Sequence, residues 1–373
     1  MSAVTAPRNE YSYIQSVQKA LSNFGLPRII ILATLVLLFI MAEIYGMNVP
    51  SFMGDVLRRW GMFGFIVLSM VPGIQSGIGP NFGITIGIVG GLVGAVLSIE
   101  MRYTGIFDFL PANMIPMAGV LVAIVIAAAM GIILGILYGM LLNRVKGSEM
   151  AVSVYVGFSA VAIFNILWAL MPVSATMLIL PAMGRGLRQV VNLQDDFGDA
   201  FNSILRFRIG GMTLHTGLLL VFFFACFCMW LFMRSRLGMM MSAAGSNPEY
   251  ARASGIDVEK MRVLGTTIST TLGAVGIIVY AQSFGFLQLY NAPLMMGFST
   301  VAAVLIGGAS VKRARVFDVL LGAFMFHGIL TIALPLATQI LPSHMAAGVP
   351  EMMRLIITNG IILYALSKAK GGR

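Results

Sequence analysis

Long apolar stretches alternate with short charged ones along nearly the whole chain. Ten runs stand between the charges, at about residues 26–45, 60–79, 81–100, 114–142, 149–171, 211–233, 262–282, 293–310, 316–335 and 351–367. Each approaches the roughly 20 residues that an α-helix needs to cross a bilayer. The pattern therefore predicts an all-α, polytopic membrane protein with about ten transmembrane helices. The second and third runs are interrupted, because Pro72, Pro80 and a series of glycines from Gly73 to Gly91 break the helical pattern. Broken helix is tolerated at membrane depth only where protein or a polar cavity surrounds it. Residues 72–91 thus read either as the lining of a transport path or as a glycine-rich packing seam. On the first reading Gln75, Asn81 and Thr85 face the path, since uncharged polar side chains are costly against lipid without partners.

Composition narrows the class. Of 373 residues, 58% are hydrophobic and 10% charged, against about 25% charged in a soluble domain. No soluble catalytic domain is expected. Cys226 and Cys228 sit together in an apolar run and cannot make a disulfide framework. The polar segment Met1–Gly25 lacks a small-residue cleavage site after the apolar run that follows it, so Ile29–Met41 is expected to stay as a first helix.

Charge gives the orientation. With the N-terminus in the cytoplasm and ten crossings, sixteen of the 24 basic residues fall inside and eight outside, including Arg58, Arg59, Arg102, Arg185, Arg188 and Arg354. That bias predicts both termini on the cytoplasmic side of a bacterial inner membrane. The organisation is then a cytoplasmic segment 1–25, one transmembrane domain 26–367, and a cytoplasmic tail 368–373. The net charge of +10 is accounted for by topology and anionic lipid. A nucleic-acid partner would need a continuous basic face with stacking aromatics, which the chain lacks.

Two regions do not span. Residues 172–210 fall outside and carry Arg185, Arg188, Asp195, Asp196, Asp199, Arg206 and Arg208, with enough apolar residues for a short surface helix. They read as a docking surface or a plain loop. Residues 234–262 fall inside and contain a short capped helix. Asn247 is suited to the N-cap, Pro248 to the first helical position, Glu249 to the positive helix end and Gly255 to the exit. Small residues such as Ala251 and Ala253 would let this helix enter a partner's cleft.

Other chemistry is missing. No Gly-rich loop ends in Gly-Lys-Ser/Thr, and no His or Cys cluster has metal-ligand spacing. His215, His327 and His344 are scattered; His327 reads as an interhelical hydrogen bond more readily than as a pathway group. Asp318 follows Lys312, Arg313 and Arg315 and reads as locally paired, while Glu43, Glu100 and Glu149 lie at helix ends. Nothing is placed for ion coupling, which weakens the reading as a secondary transporter. A non-transporting scaffold is the third reading.

The stretch from Met241 to Ile256, with Gly245-Ser246-Asn247-Pro248 leading an Ala-rich turn closed by Gly255-Ile256, resembles the coupling loop of ABC importer permeases of the ribose/galactose/branched-chain amino acid type. Arg234-Ser235-Arg236-Leu237-Gly238 resembles its basic entry, and Ala303–Ser310 followed by Leu321-Gly322-Ala323-Phe324 resembles a second recurrent motif. The resemblance implies half of a transport channel, paired with an identical or homologous permease. ATP and Mg would be bound by a separate cytoplasmic ATPase pair, and an extracytoplasmic binding protein would deliver cargo; this chain would hold no cofactor. It further implies that Asn247, Pro248, Glu249, Ala251, Arg252 and Gly255 contact the ATPase. Simple-sugar members usually carry an acidic residue where this chain has Gly79–Gly87. A simple sugar leads as substrate, with a nucleoside next, other ring compounds after it and branched-chain amino acids last. The missing acid also leans towards a diverged permease partner.

Overall fold

The computed structural model describes residues 26–180, 186–194, 196–340 and, beyond them, Met352, Ile356, Asn359 and Gly360. Expectations that fall on segment 1–25, most of the tenth span, the tail 368–373, Arg185, Asp195, His344 and Arg354 lie outside the described residues.

Helices follow the apolar runs. They are α1 (Leu26–Ile44), α2 (Val49–Leu68), the short α3 (Met70–Gln75), α4 (Ile84–Tyr103), α5 (Ile115–Arg144) and α6 (Glu149–Leu170). After a non-helical stretch come α7 (Thr216–Arg234), the short α8 (Arg236–Ser246) and α9 (Pro248–Ala253), then α10 (Val258–Phe284), α11 (Ala292–Ile306) and α12 (Val316–Ile340). Six of them, α4, α5, α6, α7, α10 and α12, are long and apolar enough to cross a membrane. The second run is corrected. Its helix begins at Val49, eleven residues earlier than the apolar pattern, so Arg58 and Arg59 lie within a helix rather than in an outer loop. Arg58 donates Nη2 to the Ser283 carbonyl at 2.7 Å, a partner that the local sequence does not announce.

Helices α4, α10 and α12 form the interior, whereas α5, α6 and α7 present most of their length outward. In the most apolar stretch of each, 78% of α4 is buried but only 17% of α6. Outward residues such as Ile133, Leu137, Tyr155, Ile166 and Phe224 make α5, α6 and α7 apolar on every side, as lipid contact requires. Close packing between membrane helices depends on small residues, because lipid removes the hydrophobic drive between them. Gly131, Gly135 and Gly139 of α5 stand at i, i+4 spacing against α10. A Cβ on them would come within 2.7, 2.8 and 3.0 Å of the Cα atoms of Thr271, Thr267 and Val263. Gly87 and Gly91 of α4 likewise meet the carbonyls of Thr270 and Ala274. The later half of the glycine-rich stretch is thus a packing seam, and the earlier half, Ser76–Gly83, is the break.

The region 172–210 departs from expectation. No helix occurs among its described residues. Instead β1 (Val190–Asn192) pairs antiparallel with β4 (Phe286–Gln288), and β2 (Arg206–Ile209) forms a hairpin with β3 (Met212–His215). Gly210 and Gly211 both have positive φ, +53° and +88°, as a tight two-residue hairpin demands. The region is tied down by Arg102–Asp196 and by Glu100, which accepts the amides of Ser174 and Ala175 at 2.7 and 3.0 Å.

Candidate functional site

The break at 76–83 is held from several sides. Gly77 and Gly79 take φ of +83° and +85°, which only glycine adopts cheaply. Gly77 meets Gly245 of α8 backbone to backbone. A Cβ on Gly77 would lie 2.8 Å from the Gly245 Cα, and one on Gly245 would lie 2.6 Å from the Gly77 nitrogen and collide with the Gln75 carbonyl. On the other side Gly265 of α10 packs on Ser76.

Hydrogen bonds complete the hold and decide where the three candidate path residues point. Gln75 donates Nε2 to the Ala314 carbonyl at 2.6 Å, reaching the 310–315 turn before α12. Asn81 donates Nδ2 to Ser269 Oγ at 2.9 Å and accepts from the Tyr138 hydroxyl at 3.1 Å. Both are therefore engaged in bonds between elements. Thr85 differs: it is buried, and its Oγ1 has no hydrogen-bond partner. Sequence reasoning missed Tyr138 and Ser269. The available signal was Tyr138, the lone tyrosine of the apolar α5, which needs a partner; Ser269 is one of several Ser and Thr residues of α10, and the sequence does not single it out.

The 234–262 region is built as its sequence implies. Asn247 Oδ1 accepts the Tyr250 amide at 3.0 Å, Pro248 is the first residue of α9, and Gly255 has φ +80°. Ser235 caps α8 and Asp257 caps α10 in the same way. The Lys260 amide and then its ammonium hold the Asp257 carboxyl below the ordinary carboxylate range. Pro248, Glu249, Arg252, Ala253 and Gly255 are exposed, as is Tyr250 at 69%. Ala251 is fully buried at 0%, packed with Ala244 and Val258. Its small size is required by this chain, so the expectation that it enters a partner's cleft is corrected. Tyr250 is the large outward side chain that the sequence reading left out.

A polar network fastens α9 to its neighbours. Glu259 Oε1 bridges Arg252 at 2.9 Å and Lys146 at 2.6 Å. Asn143 donates to the Glu259 carbonyl at 2.9 Å and accepts from Arg262 Nε at 3.0 Å, and Arg262 also pairs with Glu149. Asp318 accepts the Arg315 backbone amide at 2.9 Å, a local partner reached through the main chain rather than the side-chain ion pair that the sequence suggested. For His327 the interhelical hydrogen bond is corrected. Its ring stacks on Phe63 at 3.8 Å, and Nε2 has no partner. Cys226 is buried and Cys228 exposed, both free. Among the described residues no cluster of His, Cys, Asp or Glu could hold a metal.

A cavity of about 880 Å³ runs between α5 and α10, walled by Ile132, Ile136, Met140, Leu264 and Ile268. Its wall is largely apolar, with Asn143, Glu259 and Lys260 at one end. A smaller recess lies at Thr85.

Membrane helices packed around a broken central segment, with a capped exposed helix at one end, fit a membrane permease. A family profile described as "Branched-chain amino acid transport system / permease component" matches residues 52–366. The chain belongs to that family. It is 26% identical over 159 residues to the nucleoside ABC transporter permease protein NupB of Lactococcus lactis subsp. cremoris, 42% of this chain and 40% of that protein. To NupC of the same organism, also a nucleoside ABC transporter permease protein, it is 27% identical over 124 residues, 33% of this chain and 39% of the relative. To the galactofuranose transporter permease protein YtfT of Escherichia coli it is 28% identical over 166 residues, 43% of this chain and 48% of the relative. The matches thus span less than half the length of these relatives. No solved structure gives a significant match.

Proposed function

We propose that this chain is the membrane-spanning subunit of an ATP-driven, binding-protein-dependent importer that carries a neutral, hydroxyl-bearing ring solute, a sugar or a nucleoside, into the cytoplasm. It would cross the bacterial inner membrane about ten times with both termini inside. Basic residues support that orientation. Arg144, Lys146, Arg234, Arg236, Arg252, Lys260, Lys312, Arg313 and Arg315 cluster at the end that carries α8 and α9, as expected for the cytoplasmic face. A second permease, identical or diverged, would complete the path. An ATPase pair would bind ATP and Mg below it, and a binding protein would dock outside, where 172–210 is a candidate surface.

The observation that carries this reading is the backbone contact of Gly77 with Gly245. It joins the broken membrane segment directly to the helix pair that ends in the exposed α9. Asn247, Pro248, Glu249, Arg252 and Gly255 would meet the ATPase, with Ala251 supporting them from beneath. A push on α9 passes through α8 to Gly77 and so to the segment that precedes Asn81 and Thr85. Gln75 and Asn81 would shape the path by holding that segment, and Thr85 would face it. The test is reconstitution of the chain with the ATPase and binding protein that co-purify with it. Uptake of radiolabelled sugar or nucleoside should stop when ATP is withheld; uptake that persists on an ion gradient alone would sink the proposal.

A further inference from the structure

Threonines within these helices return their hydroxyl to the carbonyl one turn back. Thr34, Thr266, Thr267, Thr271, Thr300 and Thr331 all do so at 2.6–2.8 Å. Thr85 cannot, because Asn81, four residues earlier, lies in the break and its carbonyl accepts from the Ile84 amide instead. Thr270 also lacks a partner, but it is packed between Gly87 and Gly135. Thr85 is only 4% exposed, and a hydroxyl left unpaired in such a place is costly.

The space beside it is kept open by two glycines. A Cβ on Gly157 of α6 would fall 2.5 Å from Thr85 Oγ1 and 3.4 Å from the Phe82 carbonyl oxygen. One on Gly297 of α11 would fall 2.9 Å from Thr85 Cγ2 and 3.7 Å from the same carbonyl oxygen. Three rings surround the opening. Phe298 lies 5.7 Å from Phe82 and 6.1 Å from Phe158, tilted at 55° and 47°. Phe158 is 44% exposed, so the recess reaches the surface past it. The recess holds about 10 Å³, room for about one water-sized polar atom.

We propose that this recess binds the polar edge of a planar heteroaromatic ring, the base of a nucleoside-class solute. Thr85 Oγ1 and the Phe82 carbonyl are its hydrogen-bonding partners, and Phe158 and Phe298 are its stacking wall. The inference rests on the permease reading and selects among its substrates. A hydroxyl donates or accepts and a carbonyl only accepts, so the pair matches one edge that carries an N–H and a second polar atom. A free sugar brings several hydroxyls, each needing a partner once it leaves water, and two polar atoms among three phenyl rings cannot supply them. In this conformation only an edge atom enters, and rotation of Phe158 would admit the ring.

Two measurements on the complete transporter separate this inference from its premise. The first is ATP-driven uptake of tritiated adenosine, uridine and ribose. Thr85→Val should raise KM for the nucleosides about tenfold, the size expected for one lost buried hydrogen bond. Thr85→Ser should restore it, and Gly157→Ala, which fills the recess, should mimic the valine. The second is thiol labelling of Thr85→Cys, with Cys226 and Cys228 replaced by alanine, which adenosine should slow and ribose should not. Unchanged nucleoside KM in Thr85→Val and Gly157→Ala, or wild-type uptake of ribose alone, overturns the inference and leaves the permease intact. Protection by adenosine without ATP-driven uptake of any probe sinks the permease reading and leaves the binding site standing.

Discussion

Replacing Gly245 with alanine adds one methyl group where two backbones touch. The new Cβ would stand 2.6 Å from the Gly77 nitrogen and against the Gln75 carbonyl. Ordinary van der Waals contact begins near 3.4 Å, and the Gln75 carbonyl oxygen stands closer than the Gly77 nitrogen, so α8 and the broken segment must part by about 1 Å or slightly more. Overpacking of this kind costs about 1–3 kcal/mol. Alanine also returns up to about 1 kcal/mol of helix propensity at a helical glycine. The net loss is small enough for the variant to fold and insert, which separates coupling from stability. Gly46→Ala, between α1 and α2, is the control: its φ is +68° and nothing lies within 4 Å of the added Cβ, so it carries backbone strain without a lost contact. In proteoliposomes with ATPase and binding protein, Gly245→Ala should keep ATP hydrolysis and lose most of the substrate moved per ATP. Gly46→Ala should keep both. Wild-type transport per ATP in Gly245→Ala and also in Gly245→Val would show that this contact transmits nothing.

Other substitutions probe the remaining parts. Ala251→Trp should unfold α9 locally, raising amide exchange over 247–258, because the site is closed by Ala244 and Val258; Tyr250→Ala should leave that exchange unchanged and weaken ATPase retention in pull-downs. Arg252→Glu should shift thermal stability little, since an exposed pair is worth about 0–1 kcal/mol, yet it should lower ATPase retention at low salt. Asn81→Leu leaves Ser269 and Tyr138 without their partner and should cost about 1–2 kcal/mol in thermal unfolding, whereas Asn81→Ser should recover part of it. Burial, then Arg58, holds His215 below its ordinary range, with Arg206 adding to the effect. The neutral ring is thus the folded form, and its stability is complete above about pH 6.5 and lost as pH falls through the lower folded value. Amide protection factors in the β2–β3 hairpin, with the intrinsic pH dependence of exchange taken out, should fall on acidification, and His215→Phe should remove that loss.

What could be read from sequence follows from how local its cause is. Bilayer thickness imposes a run length on each span, so α4, α5, α6 and α10–α12 lie close to their apolar runs. Caps were legible too, because Asn247, Pro248 and Gly255 act within one turn of themselves. The start of α2 was not, since Arg58 finds its partner in a distant element, at the Ser283 carbonyl. Residues 190–192 are extended because their partner strand lies almost a hundred residues later. An apolar count there suits a helix equally well. The burial of Ala251 and the Gly77–Gly245 contact are tertiary in the same sense. Each requires knowing which backbone arrives opposite.

That distinction bears on how a push on α9 would reach the path. The connections of the α8–α10 corner include two that start from α9 and α8: the exposed Arg252–Glu259–Lys146 pairs and the contact of Gly245 with Gly77. The pairs are solvent-exposed, and each is worth at most about 1 kcal/mol, screened further by salt. They can hold α9 in register, but they yield before they move a membrane helix. Backbone atoms in contact repel steeply on compression, and here neither side has a side chain that could rotate away. Gly77 also continues directly into Asn81, which is bonded to α5 through Tyr138 and to α10 through Ser269. A sub-ångström displacement at Gly245 therefore has a rigid route to the residues around Thr85, and the route exists because both positions are glycine. Coupling between sites is carried by such packed, discrete contacts rather than by nearness alone.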